Sequence, residues 1–487
     1  MAFGWHSGGE QGSCFVCFLV DKLLGIKQPA LMNKKKVLML AVNSSWSHSS
    51  PAFYYLRAML GGLPYQAKML DFSTKDHLGD VLRTAWAEQA QIVCFSAYIW
   101  NRIYLQQLLP PLKKLLPEAV LVVGGPEAQR LESYLSKTDY LICGPGEAKF
   151  RALAESGFRM STDDLAKVPA LSLSELPFPY KASDLSTLQN RLVYYELYRG
   201  CPYGCIYCLS ARDGRKELRF DPANPDNLER LFEELALLVA LQPRTLKFVD
   251  RSFNLNKALA HKVWEFFISN PLSCEAHFEI YPDLLDESDL AILEKAEAGK
   301  FRFEIGVQTV NPEVARACGR SSNWRKVHEM LIKLKKRTKI RLHTDLLAGL
   351  PGENYASIVD SLNQLCACLP DAVQLGILKI LPDTPMLEIA KDRGYKWLDE
   401  PPYSVLSSDA LSFPELCLLE DFARLLNLYW NKEEHSESWK TLLQKDSAES
   451  LLNRLRDIHN RLGYELHSLA RAKRDAVMKE LLEKYGG

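Results

Sequence analysis

The sequence predicts an α/β protein: an N-terminal doubly wound parallel sheet, then a partial (βα)6 barrel, then a helical C-terminal region. Three observations predict it. Short apolar, β-rich runs alternate with helical stretches from residue 36 to about 157. A second alternating series of six units follows over 191–395, and helical, charged segments fill 396–487.

In the first series the strands are Val37–Val42, Gln91–Ser96, Val120–Val123 and Tyr140–Cys143. Ala52–Leu60, Leu78–Gln89 and Ile103–Leu116 carry helical periodicity between them. These elements define a domain over 33–157, whose ligands should bind beyond the carboxyl ends of the strands. Residues 158–190 lose periodicity and gather Pro169, Pro177 and Pro179, as a linker or a surface strap does.

In the second series the strands are Val193–Tyr198, Thr245–Asp250, Glu275–Ile280, Phe301–Gln308, Ile340–Ala348 and Ala372–Lys379. Helical stretches such as Leu228–Leu241, Lys257–Ile268, Ser288–Glu297, Trp324–Lys335 and Tyr355–Leu369 separate them. The C-terminal region carries an amphipathic stretch, Leu416–Trp430. Residues 1–32 are an N-terminal extension, disordered or artefactual. Their greasy part, Cys14–Leu24, has no basic flank before it and no small-residue cleavage site after it, unlike a secretory leader.

Bulk properties narrow the function classes. With 487 residues, 47% hydrophobic and 25% charged, there is core enough for two to four domains. Formal net charge is zero, so no overall field recruits nucleic acid or an anionic membrane. No apolar run reaches the roughly 18 residues of a membrane span. Twelve cysteines in so long a chain are not a disulfide framework. Three crowd into eight residues and the rest scatter through apolar segments, which suits a metal site plus buried thiols in a reducing, cytoplasmic setting.

That trio is Cys201, Cys205 and Cys208, directly after the first strand of the second series and spaced C-x3-C-x2-C. Three thiolates at this spacing can hold three irons of a cubane and leave the fourth iron open to a ligand. A structural zinc wants four ligands, and no fourth Cys or His lies nearby in sequence. A zinc knuckle completed by a distant ligand is the bland alternative. Gly200 and Gly204 let the backbone turn tightly around the sulfurs.

Three barrel strands alternate in polarity. Glu275, His277 and Glu279 share one face; so do Arg302, Glu304, Gly306 and Gln308, and so do Arg341, His343 and Asp345. The apolar faces should meet the outer helices, which turns the polar faces inward. A charged interior is costly unless wet or filled by a polar ligand. Buried ion-pair networks are the alternative for any single residue.

The cysteine segment resembles the signature of the radical S-adenosylmethionine (SAM) superfamily, with Tyr207 as the aromatic residue before the last cysteine. The resemblance implies a [4Fe-4S] cluster whose free iron chelates SAM. One electron then breaks the sulfonium C–S bond to give methionine and a 5′-deoxyadenosyl radical. It also implies SAM contacts at Asp250 on the second strand, at Glu279 and Glu304 in the lumen, and at Gln308 in the fourth-strand motif Ile305-Gly306-Val307-Gln308. Asp345 and Gly349, in the fifth-strand segment ending Gly349-Leu350-Pro351-Gly352-Glu353, complete the set. The second-strand segment Val249-Asp250-Arg251-Ser252 departs from the family's Gly-Gly-Glu, and the Gly349–Glu353 loop also suits a plain strand-to-helix turn.

The first domain resembles flavodoxin-like cobalamin-binding domains, as found in cobalamin-dependent radical SAM enzymes. Ser96-Ala97-Tyr98 ends its third strand, Gly124-Gly125 its fourth, and Gly144-Pro145-Gly146-Glu147 follows the fifth. The likeness implies cobalamin contacts at Ser96, Tyr98, Gly124, Gly125, Gly144 and Glu147. The usual lower-ligand motif, Asp-x-His-x-x-Gly, is absent. The loop after the first strand instead offers His48 as a cobalt ligand, or Trp46 as a cover for the lower corrin face, and Asp76-His77-Leu78-Gly79 has the wrong spacing. Methylthiotransferases carry a second cluster on three N-terminal cysteines, whereas only Cys94 and Cys143 lie between Lys36 and Cys201.

Together these likenesses imply a cobalamin-dependent radical SAM methyltransferase acting on an unactivated atom of an unknown substrate. Electrons would come from a donor such as flavodoxin or ferredoxin, and the C-terminal helices would close the barrel mouth or shape the substrate pocket. A radical cyclase or rearrangement enzyme, and a cobalamin-binding or sensing protein with a structural cluster, are the alternatives.

Overall fold

The computed structural model describes residues 34–270 and 273–486, so the expected extension over 1–32 lies outside the described residues. Two compact units emerge: 34–194 with 220–246 and 269–274 (less residues 271 and 272), and 195–219 with 247–268 and 275–486. Among the described residues no helix is long and apolar enough to cross a membrane.

The first unit is built on five strands, β1 (Lys35–Asn43), β2 (Tyr65–Ser73), β3 (Ile92–Ser96), β4 (Val120–Gly124) and β5 (Tyr140–Ile142). They pair in parallel in the order β2-β1-β3-β4-β5. The order reverses between β1 and β3, which is where doubly wound sheets open a ligand crevice. Helices α1 (Pro51–Met59), α2 (Leu78–Ala87), α3 (Arg102–Leu115) and α4 (Glu147–Glu155) connect the strands. Every residue from Val37 to Val42 is buried, because β1 is covered on both faces and supplies both hydrophobic clusters. Burying each aliphatic of that run contributes about 1.5–3 kcal/mol.

β2 is an addition to the sequence reading, which had found only the other four strands. Its sequence, YQAKMLDFS, shows little alternation because it is an edge strand with most residues half-exposed. The segment 158–190 is no loose linker. Phe158, Leu165, Leu173 and Leu176 join the core cluster that contains Val37 and Phe53, so it is a strap sealed to the sheet domain.

The barrel sheet has six strands: β6 (Leu192–Tyr195), β7 (Thr245–Phe248), β8 (Glu275–Glu279), β9 (Phe301–Gln308), β10 (Arg341–Ala348) and β11 (Ala372–Ile377). They lie in simple sequence order, leaving β6 and β11 at the edges of an open barrel. Burial along β9 and β10 alternates strictly, with Phe301, Phe303, Ile305 and Val307 buried and their neighbours partly accessible. This is the alternation expected when one face meets helices and the other lines a lumen.

The C-terminal helices α5 (Phe413–Leu425), α6 (Ser436–Leu443), α7 (Ala448–Leu462) and α8 (Arg471–Tyr485) follow. A π-helical turn, Leu426–Trp430, extends α5 and ends beside Asn431. Asn431 exchanges hydrogen bonds with Val373 N (2.8 Å) and O (3.0 Å), capping the open edge of β11. Glu433 pairs with Arg341 at the amino end of β10. These contacts lie at the sheet edge and at its amino end. At the carboxyl end it is Tyr395, just before the helices, that donates to Gly349 O (3.1 Å).

Candidate functional site: a cysteine loop over a charged lumen

The cysteine loop leaves β6 and runs between two short antiparallel segments, Tyr198–Arg199 and Glu217–Leu218. Gly200 has φ +96°, and a Cβ there would overlap the Arg215 carbonyl oxygen, so only glycine allows this crossing. Cys205 is buried; Cys201 and Cys208 are partly accessible. Burial pushes the Cys201 thiol up, a backbone hydrogen bond at Tyr203 opposes this, and the nearby Cys208 and Cys205 raise it further. Two backbone bonds fix the loop's middle, Ile206 N to Cys318 O (3.1 Å) and Met386 N to Ile206 O (3.1 Å). Tyr203 stacks on Tyr281 with ring centres 4.3 Å apart.

Below the loop the polar faces of β7–β10 form one network. Lys247 Nζ lies 3.0 Å from Glu304 and 3.7 Å from Glu279, and Glu279 also takes Arg251 at 3.2 Å. His277 Nε2 lies 2.9 Å from the Glu304 carboxylate. Burial alone would raise the Glu304 carboxyl, but His277 and Lys247 hold it far below the usual carboxylate range. Asp345 is the opposite case: burial first, then the Glu304 and Glu279 charges, push its carboxyl up to about 8 against the pull of Lys247. Burial lowers His343 in the same place. Glu275 with Arg302 (2.9 Å) and Arg341 (3.3 Å) closes the amino end as an ion-pair plug.

Two buried groups of the network meet only each other, and beyond hydrogen-bonding geometry. Asp345 Oδ1 and His343 Nε2 are buried without a hydrogen bond and stand 3.5 Å apart. Buried polar atoms of this kind are what a polar ligand satisfies.

The predicted SAM residues separate into groups. Glu279, Glu304 and Asp345 meet in the lumen network. Gln308 ends β9 at φ +68°, its amide folded against Gly306, where a Cβ would come within 2.5 Å. Gly349, at φ +96°, turns the chain after β10, and Glu353 beyond it is buried, bonded to Thr309 (2.5 Å) and pushed by burial up to about 7. Tyr207 packs by Arg320 and Cys205; burial raises its hydroxyl.

Asp250 has a different place from the one expected. It is 2% exposed, and both its oxygens accept from Leu197 N at 3.2 Å. It anchors the chain where the cysteine loop begins. Arg320 escaped the sequence reading, since a lone arginine between Gly319 and Ser321 carries no pattern.

In the first unit the predicted cobalamin residues gather at the carboxyl ends of the strands. Ala97 N donates to Gly124 O (2.7 Å), and a Cβ on Gly125, at φ +100°, would come within 2.5 Å of Ala97 O. Tyr98 stacks on Trp100 (4.3 Å), with Ser96 hydrogen-bonded to it and the Glu147 charge nearby. Gly144 faces open space, since a Cβ there meets nothing within 4 Å, whereas a Cβ on Gly124 would sit in ordinary contact with Ile142. His48 Nδ1 is hydrogen-bonded with the Tyr194 hydroxyl, and Trp46 is 68% exposed with Arg191 over its ring at 5.5 Å. His77 caps α2 by accepting from Gly79 N (3.2 Å). Asn101 was also missed. Its amide donates to Val42 O and Ser96 O (both 2.9 Å), tying the ends of β1 and β3 together at the crevice.

Family models match in the same order as the two sheets. The B12 binding domain model matches residues 38–154, and the radical SAM superfamily model matches 195–365. The chain carries a radical SAM domain and a B12-binding domain. A third model, a protein of unknown function (DUF4080), matches 391–473, across most of the C-terminal helices. Among curated relatives, the cobalamin-dependent radical SAM methyltransferase TokK of Streptomyces tokunonensis is 24% identical over 61% of this chain and 48% of its own. Oxygen-independent coproporphyrinogen III oxidase of Paracoccus denitrificans is 36% identical, over 22% of this chain and 23% of its own. The chain therefore spans about half, or less, of the length of these relatives. Among solved structures, the cobalamin-dependent SAM radical enzyme OxsB with aqua-cobalamin and SAM bound aligns over 93% of this chain and 80% of its own. Its TM-score is 0.63 at 14% identity, a likeness of fold.

The radical SAM domain implies a [4Fe-4S] cluster and SAM, and the B12-binding domain implies cobalamin. The donor chemistry fits the cluster better than zinc. A single zinc about 2.3 Å from each sulfur would hold any two sulfurs within about 4.6 Å. Among the described residues the set of three donors converging within 4.8 Å is Glu434, His435 and Asp475, not the cysteines. The buried Asp345 and His343 atoms, which make no hydrogen bond, fit SAM, and the open space at Gly144 fits cobalamin.

Proposed function

We propose that the protein is a cobalamin-dependent radical SAM enzyme that transfers a methyl group to an unactivated atom of its substrate. The observation that carries the reading is the glycine-bent loop that brings Cys205 and Cys208 near Cys201, set in a barrel whose lumen holds buried polar groups without a hydrogen bond. Cys201, Cys205 and Cys208 would hold three irons, and Gly124, Gly125 and Gly144 would admit the corrin's nucleotide tail. When bound, the cluster supplies the electron that cleaves SAM and cobalamin carries the methyl group.

The chain's own residues position and insulate. Asp345, protonated up to about pH 8, offers an O–H donor in a lumen already rich in carboxylates. Lys247 and His277 keep Glu304 ionised as an acceptor. Gln308, held in a left-handed turn, presents its amide at the carboxyl end of β9. Asp250 fixes the start of the cysteine loop through Leu197. An external one-electron donor such as flavodoxin or ferredoxin completes the scheme.

The test is anaerobic purification with cobalamin, followed by iron, sulfide and corrin quantification and a SAM-cleavage assay. The reading expects about four irons and one corrin per chain, reductant-dependent 5′-deoxyadenosine, and a product heavier by one methyl. Cleavage with no gain in carbon would point to cyclisation or rearrangement. A protein that binds corrin and iron yet never cleaves SAM would be a binding or sensing protein. Replacing all three cysteines by Ala should abolish iron–sulfur absorbance and cleavage together.

A further inference from the structure

Arg320 is a partly accessible cation in the barrel unit whose charge has no carboxylate partner within ion-pair distance among the described residues. Its guanidinium is hydrogen-bonded to the Cys205 side chain, donates to Gly306 O through Nη2, and lies over the Tyr281 ring at 5.3 Å. Its Nε is buried with no partner. The segment that carries it is fitted to the cysteine loop. Gly319, at φ +68°, would bring a Cβ within 2.6 Å of Gly204 O, and Cys318 O takes the Ile206 N–H (3.1 Å). The chain thus holds an arginine against one particular cysteine by backbone contacts made on either side of it.

A sequestered guanidinium without a counter-ion is costly, so something anionic must face it when the protein is in working form. The surroundings offer phenol hydroxyls, a backbone carbonyl and the Cys205 thiol, and the Asp283 carboxylate, which feels the Arg320 charge, stands beyond ion-pair distance. Three thiolates and an iron–sulfur core form a net anion, and one-electron reduction adds a further negative charge. Hydrogen bonds to the sulfurs and nearby charge are the levers that set such a potential.

We propose that Arg320 is the positioning and potential-setting residue of the cluster, stabilising the reduced state through its charge and its hydrogen bond to the Cys205 sulfur. Arg320 touches a cluster ligand and no substrate. The inference rests on the cluster assignment made above.

The test is an EPR-monitored redox titration of anaerobically reconstituted protein, with iron and sulfide counted per chain. Arg320→Gln is expected to retain the fold by circular dichroism and to lower the cluster midpoint. A tenfold loss in the reduced-to-oxidised ratio at fixed potential would be a shift of about 59 mV for one electron. Arg320→Lys, which keeps the charge but not the planar fork, should recover much of that shift. Arg316→Gln, an exposed change on the preceding helix, should leave the midpoint in place. A Gln variant with full iron content and the wild-type midpoint overturns the proposal while leaving the cluster assignment intact. Wild-type protein that takes up no iron overturns both. If the Gln variant takes up no iron, the Lys variant decides: uptake at the wild-type midpoint supports the role of the charge, and failure to take up iron overturns it.

Discussion

Asp250 separates two accounts of one carboxylate, and a pair of substitutions distinguishes them. Likeness to the family placed it against SAM; the structure turns both of its oxygens to Leu197 N, at 3.2 Å, in a fully buried setting. Burial drives its carboxyl well above the usual range, partly offset by the Leu197 hydrogen bond. Asp250→Asn keeps an acceptor of the same shape and should cost under about 1 kcal/mol. Asp250→Ala leaves a buried N–H unpaired at the start of the cysteine loop, which costs about 1–3 kcal/mol, or about 5- to 150-fold in population. The assay is denaturant unfolding of cluster-free protein, followed by iron uptake. The expected pattern is a lower midpoint and weakened iron retention for Ala, with Asn close to wild type. An Ala variant with unchanged stability and full iron content, but lost SAM affinity, would refute the anchoring role and restore the SAM contact.

Other outcomes follow from single contacts. Asp345 holds its proton up to about pH 8 in the fold, whereas the unfolded carboxyl loses it near pH 4. The folded state therefore binds the extra proton between those values, and stability falls as pH rises through the window. Asp345→Asn should match wild type at pH 4 and be more stable at pH 8.5 by at least about 1.4 kcal/mol in SAM-free melts; equal stability at both pH values would contradict this. Arg102 and Glu127 form a 3.2 Å pair at 5% exposure each, so Arg102→Met takes a buried guanidinium away from a buried carboxylate and should lower the midpoint of urea unfolding; an unchanged midpoint would contradict this. Gly125→Ala places a methyl within 2.5 Å of Ala97 O in a left-handed backbone. It should cut corrin retention sharply during anaerobic gel filtration, while iron content stays at the wild-type value.

Much of this architecture was legible in the sequence because the physics there is strongly periodic. Phe301–Gln308 and Arg341–Ala348 alternate at every residue, and that alternation is fixed by helices on one side and a polar lumen on the other. The first strand was equally plain as an unbroken apolar run buried on both faces. Tyr65–Ser73 was missed because an edge strand is half-wet and need not alternate. The strap over 158–190 read as a linker because its buried residues, among them Phe158 and Leu173, are spaced by no regular period. At the site, residues with motif-level spacing were found, namely the three cysteines and the lumen carboxylates. Those that act through a tertiary contact were not: Arg320 and Asn101 carry no local signal, and Asp250 has its role only because Leu197 folds over it.

The central claim is that three thiolates hold a cubane with one iron open to SAM. The most direct measurement is the EPR spectrum of dithionite-reduced, reconstituted protein with and without SAM. The account predicts an S = 1/2 iron–sulfur signal that changes shape when SAM is added and is absent from the triple Cys→Ala variant. A reduced signal indifferent to SAM, or stoichiometric zinc in place of iron, would contradict it.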